Sequence, residues 1–310
     1  MTNLFIVILN MSLTGAFVIT VICLVRFFLR QSPKIISYCL WTAAGFRLIF
    51  PFSIESTFSL IPFDAQPIPP EIAMQHISYA YSSNVLQMWV AVSAFIWLAG
   101  AAVMLFYGVG SFVVLKYKLK HATNIEANIY EVEIIKTPFV FGIFSPKIYL
   151  PAYLASQQRN YIVLHEQTHI RRRDHIVKFV AYLVLCLHWF NPLAWLAFLL
   201  MNADMEMACD EYVLKKLGGK TETEKSYSRM LLSFATEQCI IGGSPLAFGS
   251  GDIGLRIRNV LKRKKQTRVG FWASLVLVVV LSTGFVTDRV GADAANYVAQ
   301  PVSFSILCCD

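Results

Sequence analysis

Apolar positions in this chain gather into long uncharged runs, and those runs define its elements. Leu4 to Val25 holds 22 residues without a charge, enough at about 1.5 Å per residue to cross a hydrocarbon core about 30 Å thick. It lacks a basic leading segment and is too long for a signal peptide. A second run, Ile35 to Phe50, lies between Pro33 and Pro51 and carries Arg47 near its end, where the guanidinium is expected to snorkel to the interface. Val85 to Leu115 is uncharged for 31 residues, more than a straight crossing needs, so it should tilt or project into the next domain. Val269 to Thr287 is a fourth run of about one membrane thickness. Ile176 to Met201 would pass as a fifth, being apolar apart from Lys178 and His188, but Asn191-Pro192 interrupts it, and an interior proline breaks or kinks a helix.

Composition agrees with a mainly α integral membrane protein. Hydrophobic residues make up 56% and charged residues 15%, where soluble domains carry about 25% charged, and mean hydropathy is +0.55. Disorder, a collagen repeat and a highly charged nucleic-acid-binding domain are poor matches. The seven cysteines form no C-x-x-C pair, so neither a disulfide scaffold nor a cysteine-rich zinc module is supported.

The net charge of +8 is explained by position. No Lys or Arg lies between Arg47 and Lys116, whereas Arg26, Arg30 and Lys34, then Lys116, Lys118 and Lys120, then seven basic residues from Arg256 to Arg268, flank the runs. Basic flanks face the cytoplasm, so the charge orients the chain and no direct nucleic-acid contact is expected. The organisation that follows is three transmembrane helices over 1–115 with an external loop at 53–84, a cytoplasmic-facing domain over 116–268, a fourth crossing at 269–287 and a short external tail at 288–310. Both termini are then outside.

The chemistry concentrates in His165-Glu166-x-x-His169. On a helix, positions i and i+4 share a face, so both imidazoles can bind one Zn2+ while Glu166 reaches water at the metal as general base. Catalytic zinc takes three protein ligands; His175 stands at the third-histidine spacing of the metzincin motif, but Arg172 occupies that motif's glycine position, so the metzincin pattern is incomplete. Downstream, Glu206 can supply the third ligand, with Asp210 four residues on along the same face to accept the free N–H of a ligand histidine. Asp204 and Glu211 compete for that part. The pairing also constrains topology: if His165, His169 and Glu206 share an ion, the run 176–201 must enter and return as a membrane-embedded hairpin near Pro192.

These segments resemble the membrane-embedded metalloprotease region of the BlaR/MecR-type beta-lactam signal transducers and their antirepressor relatives. The matching stretches are Pro138-Phe-Val-Phe-Gly-Ile-Phe-Ser-Pro-Lys-Ile-Tyr-Leu-Pro151, His165-Glu-Gln-Thr-His169 with Asp174, His188-Trp-Phe-Asn-Pro192, and Glu206-Met-Ala-Cys-Asp210. In order and spacing, the resemblance extends over about residues 1 to 290. The resemblance implies four transmembrane helices plus a gluzincin-like α+β zinc protease domain with a small β-sheet, in a bacterial cell membrane. It implies cleavage of the protein itself or of a cytoplasmic transcriptional repressor. Expected partners are the lipid bilayer, a protein substrate such as that repressor, and a second copy in a homo-oligomer. The beta-lactam-sensing relatives carry an external penicillin-binding domain with an S-x-x-K serine. Here 23 residues follow Thr287 without that motif, so beta-lactam sensing is not expected. A non-catalytic sensor or scaffold keeping a structural zinc site is the competing reading.

Smaller features complete the expectations. Residues 130–137 and 147–150 read as strands with turns at Gly142 and Ser145-Pro146, and an edge strand at Phe139, Val140, Phe141 and Gly142 is the candidate substrate rest. Asp174 could support His169 or pair with Arg171 to Arg173, itself read as a solvated or headgroup-facing patch. Tyr212, Tyr149 and His188 are the oxyanion candidates. Gly242 to Gly254 is a flexible loop by composition, placed where autocleavage would detach the fourth span.

Overall fold

The computed structural model describes residues 2–51, 54–55, 59–61, 82–152, 154, 156–218, 221–236, 253–261 and 268–288. Most of the expected loops at 53–84 and 242–254, nearly all of the tail at 288–310, and Cys239, Cys308 and Cys309 lie outside the described residues. The helices are α1 (Thr2–Phe28), α2 (Lys34–Ile49), α3 (Ser82–Lys118), α4 (Ser156–Arg172), α5 (Asp174–Leu187), α6 (Pro192–Lys216), α7 (Thr221–Thr236), α8 (Ile253–Leu261) and α9 (Arg268–Val286). The strands are β1 (Ile54–Glu55), β2 (Thr123–Glu126), β3 (Ile129–Val132), β4 (Phe139–Phe141), β5 (Lys147–Pro151) and β6 (Thr287–Asp288). The protein is therefore mostly helical with a small mixed sheet.

Among the described residues two helices, over Thr2–Gln31 and Gln87–His121, are long and apolar enough to cross a membrane. The apolar part of α9, Gly270–Val286, is shorter. With 16 residues, α2 spans about 24 Å, less than a hydrocarbon core of about 30 Å.

Helices α1 and α2 run antiparallel and bury Val18, Ile19 and Ile22 with Leu40, Trp41 and Leu48. The apolar run 176–201 is not one helix. It is α5, a turn over residues 188–191, and the start of α6. Pro192 takes the first helical position, where its missing N–H costs nothing, and Asn191 Oδ1 caps Leu193 N at 2.9 Å. The turn sits inside the bundle: His188 Nε2 donates to Leu48 O at 3.0 Å, Asn191 Nδ2 to Ser12 Oγ at 2.8 Å, and Trp97 Nε1 to Leu187 O at 2.8 Å. Gly100 of α3 makes room for this turn, because a Cβ there would stand 2.2 Å from the Trp189 ring.

Arg47 departs from expectation. Instead of snorkelling it is buried, at 3% exposure, and donates to Phe285 O and to Thr287 O, the latter at 2.9 Å. The last carbonyls of a helix lack intrahelical partners, and a guanidinium with five N–H groups can satisfy them without reaching water.

At the opposite end of the bundle, Arg26 Nε and Nη2 meet Asp204 at 2.7 and 2.8 Å, and Lys34 N donates to Glu211 at 2.9 Å. Here α3 leads into a sheet of order β2-β3-β5-β4, and Phe112 stacks on Phe141 at 4.7 Å. Strands β3 and β5 are parallel, while β2 and β4 add antiparallel, so β4 is an edge. The strand expected over 130–137 is confined to β3, after which Glu133 to Thr137 bend away to reach β4. A second core of Ile148, Leu150, Ile162, Val213, Leu214, Tyr227 and Met230 joins the sheet to α4, α6 and α7.

Candidate metal centre

Helix α4 carries His165 and His169 one turn apart, and both are buried at 6% exposure. Helix α6 crosses it and presents Glu206. The donor atoms converge: His165 Nε2 is 3.1 Å from His169 Nε2, and Glu206 Oε2 is 3.4 Å and 3.5 Å from those two nitrogens. A tetrahedral ion with bonds of about 2.0–2.1 Å holds its donors about 3.3–3.4 Å apart. The three atoms have that spacing, so the donor set fits a metal.

The far side of each imidazole is held by an acceptor, which assigns the tautomers. After α4 the chain passes through Arg173 in the left-handed region, φ 59°, and α5 begins at Asp174. That turn points Asp174 back so that His169 Nδ1 donates to its Oδ2 at 2.7 Å. His165 Nδ1 lies 2.9 Å from Tyr227 Oη, and Tyr227 Oη donates to Asp210 Oδ1 at 2.7 Å. A tyrosine hydroxyl has one proton, so spending it on Asp210 leaves the oxygen to accept from His165. In the neutral imidazoles both Nε2 lone pairs then face the converged site.

Arg256 of α8 closes the network. Its Nε and Nη2 bind Asp210 at 2.9 and 2.7 Å, its Nη2 lies 3.4 Å from His165 Nε2, and its Nη1 lies 3.5 Å from Glu206 Oε2. Lys178 Nζ reaches Glu206 Oε1 at 3.1 Å. These contacts set the charges. Burial pushes the Glu206 and Asp210 carboxyls up, but Lys178 and His169 beside Glu206, and Arg256 beside Asp210, outweigh it and hold both well below the usual range. Burial also disfavours the imidazolium forms, but the acidic groups around them, Cys209, Glu206, Asp210 and Asp174 among them, outweigh it and push both imidazoles well above the usual histidine value. Metal binding therefore competes with protons for the Nε2 positions.

One pocket gathers the rest: Glu166, His165, His169 and Glu206 line it together with Phe139, Val140, Phe141 and Gly142. The edge strand β4 thus flanks the converged donors. Gly142 has φ 111°, and a Cβ there would meet Ser145 O at 2.6 Å, so the tight turn that ends β4 requires glycine.

Other sequence-level candidates fall elsewhere. Asp204 is committed to Arg26 and to Trp41 Nε1 at 3.0 Å, and Glu211 to Lys34 N and Asn259, so neither faces the histidines. Cys209 Sγ and donor atoms of His165 and His169 all lie within 4.8 Å of one another, which makes the thiol a rival third donor. Its Sγ is engaged with His165 O at 3.5 Å, whereas the Glu206 oxygen has the tetrahedral spacing from both nitrogens. None of the oxyanion candidates lines the pocket: Tyr212 accepts from Arg171 at 3.3 Å, Tyr149 stacks on Tyr130 and Phe139, and His188 is at the far turn. Within the arginine run, Arg172 lies over Tyr38 and near Asp174. Sequence reasoning missed Tyr227, Lys178 as a partner of Glu206, and Arg256, which it had counted among the membrane-edge charges. The one signal for Arg256 is its place at the start of a basic cluster yet within an amphipathic segment, Ile253 to Leu261.

Comparison with known proteins places these residues in a family. The family model described as BlaR1 peptidase M56 matches residues 6–260. The chain is 32% identical over 106 residues to the Regulatory protein BlaR1 of Bacillus licheniformis, covering 33% of this chain and 17% of that protein. It is 33% identical over 87 residues to the Methicillin resistance mecR1 protein of Staphylococcus aureus (strain Mu50 / ATCC 700699), covering 27% of this chain and 15% of the relative. The matched segments thus span less than a fifth of either relative.

Proposed function

Because the chain belongs to the BlaR1 peptidase M56 family, we propose that it is a zinc-dependent integral-membrane endopeptidase of transmembrane signalling, cleaving itself or a cytoplasmic regulatory protein such as a transcriptional repressor. The observation that carries this reading is the convergence of His165 Nε2, His169 Nε2 and Glu206 Oε2 at 3.1 to 3.5 Å in a pocket shared with Glu166 and the edge strand β4.

His165, His169 and Glu206 hold the ion, and Asp174 and the Tyr227–Asp210 pair keep the imidazoles oriented. Zinc bound there supplies Lewis acidity toward a water and the scissile carbonyl. Glu166 takes the water proton on its carboxylate and returns it to the leaving amine nitrogen. An extended substrate lies along β4 as an added strand, main chain to main chain. The gluzincin-like assignment rests on the two-His, one-Glu donor set.

Placement in the membrane follows the same reading. Four crossings, with α1, α2, α3 and α9 in the bilayer and the α5–α6 turn embedded among them, leave the site facing the cytoplasm. Support comes from the basic residues Arg26, Arg30, Lys34, Lys116, Lys118 and Lys120, which belong to helix ends on the side of the sheet and the site. The similarity to the Bacillus relative, a regulatory protein by name, supports the signalling role.

The test is a comparison of protein N-termini in cells producing wild type or Glu166→Ala. A cytoplasmic regulator, or the chain itself, should gain a new N-terminus only with wild type. Identical sets of termini would sink the proposal.

A further inference from the structure

We propose that Arg256 is the residue that stabilises the oxyanion formed at the scissile carbonyl, an assignment that rests on the peptidase reading above. Arg256 lines the same pocket as Glu166 and β4, on the short helix α8 that precedes the last apolar helix in sequence. Its two Nη atoms lie 3.4 Å from His165 Nε2 and 3.5 Å from Glu206 Oε2, about as close to these donors as the donors are to each other. The guanidinium therefore stands at the rim of the donor set.

Its hydrogen-bond inventory leaves donors for a reacting group. Five N–H groups are present. Nε–H and one Nη2–H are used on Asp210 at 2.9 and 2.7 Å. The contact from Nη1 to Glu206 Oε2, at 3.5 Å, is too long to be a strong hydrogen bond. Nη2 also contacts His165 Nε2 at 3.4 Å, so among the described residues it is the Nη1 pair that remains for a reacting group. The Asp210 clamp fixes the plane of the guanidinium in advance, and burial at 7% exposure keeps water from screening it, which are the conditions under which a donor lowers a barrier instead of reorganising during the step. Lys178, the other cation lining the pocket, is already committed to Glu206 Oε1 at 3.1 Å.

The step balances as follows. The water oxygen bonds to the carbonyl carbon, its proton passes to Glu166, and the C=O π pair moves onto oxygen, where Arg256 Nη–H donates to it. Collapse of that oxyanion re-forms C=O and breaks the C–N bond, and the amine leaves with the proton from Glu166.

The experiment uses the zinc-loaded full chain in detergent with two capped dipeptide inhibitors of identical side chains. One carries a phosphonamidate, which mimics the tetrahedral anion; the other carries a hydroxamate, which chelates the metal without mimicking it. Calorimetric titration of Arg256→Met should show phosphonamidate affinity reduced about a hundredfold with hydroxamate affinity and zinc content retained. Arg256→Lys, which keeps the charge, should recover part of the loss. Equal losses for both inhibitors, or loss of zinc in a folded variant, would make Arg256 structural and overturn the assignment. Unchanged phosphonamidate binding would do the same, as would a selective loss in His175→Ala in its place. A wild type that takes zinc but binds neither inhibitor overturns the peptidase reading itself.

Discussion

At the residue scale, the site is a set of buried groups each oriented by a second. The Nδ1 proton of His169 belongs to Asp174 through a 2.7 Å bond, and Asp174 is 1% exposed, so water cannot take over its role. Asp174→Ala should weaken metal binding about 10–100-fold, read by competition against a chromogenic chelator. Unchanged affinity would show that α4 alone sets the imidazole. What the sequence made legible here is local: His165, His169, Glu206 and Asp210 declare themselves because helical spacing of four residues puts each pair on one face. Tyr227 and Arg256 are separated from His165 by 62 and 91 residues. No periodicity connects residues that far apart, so only the packing of α7 and α8 against α6 discloses them.

At the element scale, the decisive feature is the reversal between α5 and α6, without which Glu206 could not reach the histidines. Asn191-Pro192 marked the break because a cap and a first-turn proline are local signals. The depth of the turn was not legible, since it depends on what receives it: Gly100 under Trp189, and Gly108 under Tyr182, whose Oη donates to Met104 O at 2.6 Å. Gly100→Val should force the turn off α3, because its Cβ falls 2.2 Å from the indole. Overpacking of this kind costs about 1–3 kcal/mol. The expected readout is a lower thermal midpoint in detergent together with reduced zinc content, and a variant equal to wild type in both would show that the turn is not seated there. Strand ends were over-read for a related reason. Alternation past Val132 carried the reading to residue 137, yet the chain must bend there to place β4 on the far side of β5.

At the scale of the whole molecule, charge and apolar length together define two ends. Six of the basic residues sit at helix ends on the side of the sheet and the site, while the other end holds the α5–α6 turn, Arg47 and the contact of Leu60 N with Gly284 O. In a cysteine-free background, Leu60→Cys should react with a membrane-impermeant maleimide in intact cells, and Lys118→Cys only after permeabilisation. The reverse pattern would invert the orientation. Composition had indicated the membrane, and the positions of lysine and arginine are the basis of the proposed sides, but the places of two arginines were not legible in composition: Arg47 is buried on Phe285 O and Thr287 O, and Arg256 on Asp210. The central claim, that His165, His169 and Glu206 hold a zinc ion on which Glu166-dependent proteolysis relies, is tested most directly by measuring zinc per chain and cleavage of a quenched peptide library for wild type, Glu166→Ala and His165→Ala. The account predicts one zinc in wild type and Glu166→Ala, little in His165→Ala, and cleavage by wild type alone, lowered at least about 10²-fold by loss of the general base. Zinc retained in wild type with no cleavage that depends on Glu166 would contradict it.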